Sequence, residues 1–292
     1  MGSVTGNIFT IIFSVEFIIG NLGNGFIVLV NSLGLLNSRK ISVAGHLLTA
    51  LAISRIGFLW LISTKWYMYV FYPNFWMNLI LLRTMYMIWI ITCHFSMWLA
   101  TCLCIFCCLK TATFSNSIFH YFKWRVKKMV SVTLLVSLVI LVVNVSYSPN
   151  FHDFPEFLQL ALSNTIFTLM AFTLSLTTFL TLIFSLWKYL KKVQHNFRGS
   201  RDVNTTAHIK ALQTVVASFL LYTIFFLSIF IQLWRYKFPN SLYFYFCQTA
   251  EIAFPSLHSF VLILGNSKLK QAFLSVLSWL KNWSKDVEPS GA

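Results

Sequence analysis

Seven apolar stretches dominate this chain, at roughly 8–31, 47–70, 84–108, 129–148, 159–187, 211–234 and 243–266. Each is about as long as the ~20 residues a helix needs to cross a bilayer's hydrocarbon core. Lipid leaves backbone amides no water to bond, so a spanning segment must be a helix or part of a closed barrel. None of the seven alternates in the way a barrel strand does. With 58% apolar and only 10% charged residues among 292, a water-soluble fold is excluded, since soluble domains carry about 25% charge. The expected fold class is therefore all-α, an integral membrane bundle of seven transmembrane helices.

The formal net charge of +15 is distributed by topology. Basic residues fill alternate connections. The first holds Arg39 and Lys40, and the third holds Lys110, Lys123, Arg125, Lys127 and Lys128. The fifth runs from Lys188 through Lys191, Lys192, Arg198 and Arg201 to Lys210, and the tail holds Lys268, Lys270, Lys281 and Lys285. Short basic loops stay cytoplasmic, which predicts an outside N-terminus and an inside C-terminus. The charge is thus explained without nucleic acid, and no nucleic-acid partner is expected. The start, MGSVTGNIFT, has no basic n-region, so no cleavable signal is expected, and Gly6 breaks the myristoylation pattern.

The bundle is read as residues 1–266, followed by a cytoplasmic tail, 267–292. Within the tail, apolar residues at 269, 273, 274, 277 and 280 oppose lysines, the pattern of an amphipathic helix on the inner leaflet with membrane lipid as its partner. The extracellular connections are brief, the second being about ten residues, PNFHDFPEFL. Any ligand is therefore small and enters the bundle itself. Five of the six cysteines lie in the third span, so no extracellular disulfide is expected. The run CLCIFCC has only apolar neighbours, which favours packing over a metal site. The chain also has no glycine-rich phosphate loop, H-E-x-x-H pair or paired carboxylates. It is not read as an enzyme, and no cofactor or metal is expected. The last span has no lysine for a retinal Schiff base, and no three- or four-span repeat supports a transporter.

Polar residues inside spans are costly and mark function by default. Asn21, Asn24 and Asn31 read as interhelical glue. Arg55, near the middle of the second span, must find acceptors; Asn24, backbone carbonyls, and His258 with Ser259 are the candidates, in either a structural clamp or a switch. Trp89, Cys93, Ser96 and Ala100 follow one face of the third span, with His94 beside them, and suit either a pocket floor or ordinary core. Glu251, Pro255, His258, Leu262 and Asn266 form one stripe of the seventh span, with Gln248 one turn above Glu251. Glu251 could meet a ligand or a structural partner. Pro255 allows a bend there. Asn144-Val-Ser is the nearest glycosylation sequon, at the membrane edge.

The motifs GNLGNGFIVLVN, LTALAISRIGFLWL, HFSMWLATCL, FCCLKTATFSN, FTLSLTTFLTLIFSLWKYLKKVQH, HIKALQTVVASFLLYTIFFLS and PSLHSFVLILGNSKLKQAF together resemble the type 2 taste receptors. These are bitter taste receptors, a group of G-protein-coupled receptors. The helix 7 run from His258 separates the chain from the neighbouring vomeronasal type 1 receptors. The resemblance implies a pocket for small bitter agonists in the outer half of the bundle, at Trp66, Trp89, Cys93, His94, Phe167, Phe225, Ile229, Gln248 and Glu251. It also implies a helix 6 toggle at Tyr222 and an inner switch at Arg55, His258 and Ser259. Contacts to a heterotrimeric G protein, gustducin or another of the inhibitory class, would fall at Lys110, Lys188, Lys191, Lys192, His208 and Lys210. The chain departs from the family pattern at Cys93, usually Asn, at Cys107, usually Tyr, and in the short second extracellular loop.

Overall fold

The computed structural model describes residues 2–36, 42–72, 79–111, 124–146, 154–196, 203–232 and 241–287. They form eight helices: α1 Gly2–Leu36, α2 Val43–Phe71, α3 Leu79–Thr111, α4 Val126–Ser146, α5 Phe154–Asn196, α6 Val203–Gln232, α7 Ser241–Gly265 and α8 Ser267–Val287. The first seven each carry a window apolar and long enough to cross a bilayer, in register with the seven stretches seen in the sequence. The fifth is longer than expected: it begins at Phe154, inside the stretch read as a loop, and continues to Asn196.

Helix order in space follows the contacts. α1 packs on α2 and α7, α7 on α6, α6 on α5, and α5 on α3, which also holds α2 and α4. α3 is therefore central and α4 peripheral. On α4 only Val126, Val130, Ser137 and Asn144 are buried, a narrow stripe at helical spacing, while Leu135, Val139 and Val142 face outward. Outward-facing Ile11, Leu22 and Leu29 on α1 do the same, as lipid-facing positions should.

The α1–α7 contact is close because α1 offers glycine where α7 presents serine. A Cβ on Gly20 would collide with Ser256, and one on Gly23 with Ser259. Small residues let helix backbones approach in a membrane, where dispersion and hydrogen bonds replace the hydrophobic drive. Asn24 then crosses the same seam, donating from Nδ2 to the Pro255 carbonyl at 3.0 Å. Asn31 donates to Thr49 Oγ1 on α2 at 3.1 Å. These two asparagines are interhelical ties, as expected. Asn21 donates to Phe17 of its own helix and, among the described residues, makes no tie to another helix.

The interior divides in two along the bundle axis. Toward the α1 N-terminus the packed residues are mainly aromatic and include Phe13, Trp66, Trp89, Phe225, Phe244 and Phe254. Toward the basic end they are mainly aliphatic, with Ile27, Leu48, Leu51, Leu103, Val130 and Ile263. At that basic end Asn266 starts α8, its Oδ1 accepting from the Lys268 and Leu269 amides at 3.1 and 3.2 Å, an N-cap arrangement. Leu269 is buried and Phe273 meets Phe26 of α1 edge-on. Farther along α8, Leu277, Trp279, Leu280 and Trp283 are exposed.

Candidate functional site

Two buried polar centres lie inside the bundle. In the aromatic half, Glu251 of α7 is fully buried. Its Oε1 accepts from Trp89 Nε1 of α3 at 2.5 Å, and its Oε2 accepts from Gln248 Nε2 at 3.2 Å. Charge-assisted bonds of this kind are short and strong, and this one joins α3 to α7. Gln248 reaches Glu251 because a three-residue separation puts them on the same helix face. Cys93 lies one turn below Trp89 and is buried. Tyr86 stacks on Trp89 at 5.5 Å, and Lys65 Nζ sits 5.8 Å from the Trp89 ring centroid.

Other residues expected in a pocket are placed differently. Trp66 stacks on Phe13 at 4.4 Å and packs beside Tyr245 at 5.3 Å. It faces α1 and α7, with no hydrogen-bond partner for Nε1 among the described residues. His94 packs beside Phe95 and Trp98 and interacts with the Ser137 backbone of α4. The helical step of about 100° per residue turns it from the Cys93 face toward the periphery. Phe225 stacks on Phe254 at 4.7 Å and meets Phe58 edge-on at 5.8 Å. Ile229 is buried and Phe167 is half-buried.

The second centre surrounds Arg55, which is fully buried. None of the acceptors expected for it is used: Nε, Nη1 and Nη2 all lack a hydrogen-bond partner among the described residues. Its guanidinium instead lies 4.7 Å from the Phe254 ring centroid. That ring is also met by His258 at 5.2 Å and by Tyr222 at 5.5 Å. Ser259 Oγ donates to the Ser256 carbonyl at 2.6 Å and so stays on its own helix.

Below Tyr222 lies a cavity of about 90 Å³ between α3, α5, α6 and α7, its wall including Cys104, Ser175, Leu182, Ser218, Tyr222 and His258. Thr101 and Ser175 share a 2.6 Å hydrogen bond there, and the Tyr222 hydroxyl lies near the pair without a hydrogen bond that meets ordinary geometry. Two parts of this region carry no distinguishing mark in the amino-acid sequence. Phe254 is one of 30 phenylalanines, and Ser175 sits in a run of hydroxyl residues with nothing to distinguish it.

Asn144 is placed against its reading as a glycan acceptor. Its Nδ2 donates to Asn164 Oδ1 of α5 at 3.1 Å, and the residue is 1% exposed. A glycan needs a surface asparagine, whereas this one ties two helices. At the basic end Lys110, Lys188 and Lys191 are exposed. The side chains of Lys192, His208 and Lys210 lie outside the described residues.

Seven membrane helices around a small polar interior, with an amphipathic eighth helix, define a multi-pass receptor-like bundle. The family profile described as Taste receptor protein (TAS2R) matches residues 1–281. The chain is 48% identical over 310 residues to taste receptor type 2 member 14 of Pongo pygmaeus, covering 100% of this chain and 98% of the relative. It is 47% identical over 312 residues to the Homo sapiens member 14, with the same coverage. It is 48% identical over 288 residues to taste receptor type 2 member 140 of Rattus norvegicus, covering 92% of each. The chain belongs to the TAS2R taste receptor family. Its members are G-protein-coupled receptors of the plasma membrane and not enzymes.

Proposed function

We propose that this receptor senses small bitter compounds in the outer, aromatic half of the bundle and signals through gustducin or another inhibitory-class G protein. The observation that carries the reading is the Trp89–Glu251 bond, a strong polar joint between α3 and α7 set among aromatic rings. A compound that competes for Glu251 or Gln248 while stacking on Trp89 would loosen that joint. It would thereby bind two arrangements of the helices unequally, which is all that agonism requires. In this reading the basic end faces the cytoplasm. Lys110, Lys188 and Lys191 meet the G protein there, with Lys192, His208 and Lys210 completing the basic surface, and α8 lies along inner-leaflet lipid.

The test is a calcium response to a diverse bitter panel in cells carrying a gustducin chimera. Silence across the panel despite confirmed surface expression overturns the agonist-receptor reading. Trp89→Ala and Glu251→Gln are expected to shift agonist potency, and unchanged dose–response curves would remove the outer-half assignment. The cavity beneath Tyr222 favours a second location for an apolar ligand. Leu182→Trp, which fills it, separates the two: potency lost there and retained in Glu251→Gln moves the site inward.

A further inference from the structure

Arg55 poses a problem of charge. Guanidinium stays protonated in proteins and presents five N–H donors. A buried cation is tolerated when it is paired and its donors are met. The Phe254 ring offers a π-face but no lone pair for those donors. Two acids, Glu16 and Glu251, lie within the seven membrane-crossing windows of the described residues. Glu251 is engaged by Trp89 and Gln248, and Glu16 makes no hydrogen bond to Arg55, whose nitrogens have no partner among the described residues.

The groups around the same ring share this need. Tyr222 Oη and His258 Nδ1 are both buried, Nδ1 without a hydrogen-bond partner among the described residues and Oη beside the Thr101–Ser175 pair, and both meet Phe254. Each interacts electrostatically with Arg55. A hydroxyl and a neutral imidazole can each donate one hydrogen bond. Three potential donors, from α2, α6 and α7, therefore gather about one phenylalanine. Tyr222, Phe254 and His258 also line the 90 Å³ cavity, whose wall does not include Arg55; the Phe254 ring is shared between the two. A water needs roughly 10–15 Å³ of such space, and a halide is only a little larger.

We propose that this centre binds a small inorganic monovalent anion, with chloride as the abundant representative. Arg55 supplies the charge, and Tyr222 and His258 supply flanking donors. The anion would tie α2 to α6 and α7, so any rearrangement of those helices would change its affinity. By linkage the anion would then shift the receptor between its states.

The full-length receptor in nanodiscs provides the test. At constant sodium and ionic strength, replacing gluconate by chloride is expected to raise the thermal midpoint saturably, with bromide substituting for chloride. Radiochloride should bind and be displaced by bromide. Tyr222→Phe keeps the ring and removes the hydroxyl, and is expected to weaken chloride several-fold. Arg55→Gln should abolish the response. A thermal midpoint indifferent to the anion overturns the proposal, as does a chloride response that survives intact in Arg55→Gln. If Arg55→Gln does not fold, unchanged radiochloride affinity in Tyr222→Phe, or no displaceable binding to the wild-type receptor, overturns it equally.

Discussion

Glu251 and Arg55 are opposite charges buried in the same bundle, and each has met its burial cost differently. Glu251 has donors on two sides, one from its own helix and one from α3. Arg55 has an aromatic face and no acceptor among the described residues. Burying a charge costs several kcal/mol unless it is paired and bonded. Glu251 therefore behaves as a closed joint whose parts are all protein, while Arg55 is a joint left open for something else. The two centres are separated along α7 by one helical turn, from Glu251 to Phe254. A change at one can reach the other through that shared helix.

The largest expected effect tests the floor of the open centre. Phe254→Ala removes the ring that Arg55, Tyr222, His258 and Phe225 all meet. It should cost about 3–5 kcal/mol, read as a lowered thermal midpoint in nanodiscs. If the midpoint barely moves, Phe254 is not the hub of that centre.

Next in size is the closed joint. Glu251→Ala strands the Trp89 indole N–H and the Gln248 amide, at a cost of about 2–3 kcal/mol. Glu251→Gln retains an acceptor oxygen and should cost about half of that, by the weaker pull of a neutral acceptor. Equal midpoints for the two variants would mean that the charge itself contributes little.

Arg55→Met probes the contrast directly, because the two centres should respond with opposite sign. Replacing a buried charge by an apolar chain of similar length is often neutral or stabilising. In gluconate buffer Arg55→Met should match or exceed the wild type by about 1 kcal/mol. In chloride the order should reverse. A variant destabilised equally in both buffers would mark Arg55 as satisfied within the protein.

The smallest effect sets the neutral baseline. Asn144→Ala breaks an uncharged α4–α5 hydrogen bond and should cost about 0.6 kcal/mol, the average for such bonds in membrane helices. Its electrophoretic mobility should be unchanged, since a buried asparagine carries no glycan. A mobility shift would overturn that placement.

Much of the receptor was legible in one dimension. Seven spans and the alternating basic connections are local properties of the chain, because lipid acts on each segment separately and forces it to satisfy its own backbone. The residues worth attention were legible for the same reason: Asn24, Arg55, Glu251 and His258 are conspicuous where polar groups are expensive. Family membership was carried by motifs spread along the whole chain, and the match over residues 1–281 agrees with it.

Partners were not legible, because a partner depends on helix rotation and on neighbours far away in sequence. Only the packed bundle turned His94 toward α4, set Trp66 against Phe13, and put Asn144 opposite Asn164. It also joined Glu251 to a tryptophan 162 residues away, and left Arg55 over a ring that the sequence did not single out. The bilayer's demand on each span fixes which side chains are unusual. The close approach of particular helices, through glycines such as Gly20 and Gly23, decides what each of them touches.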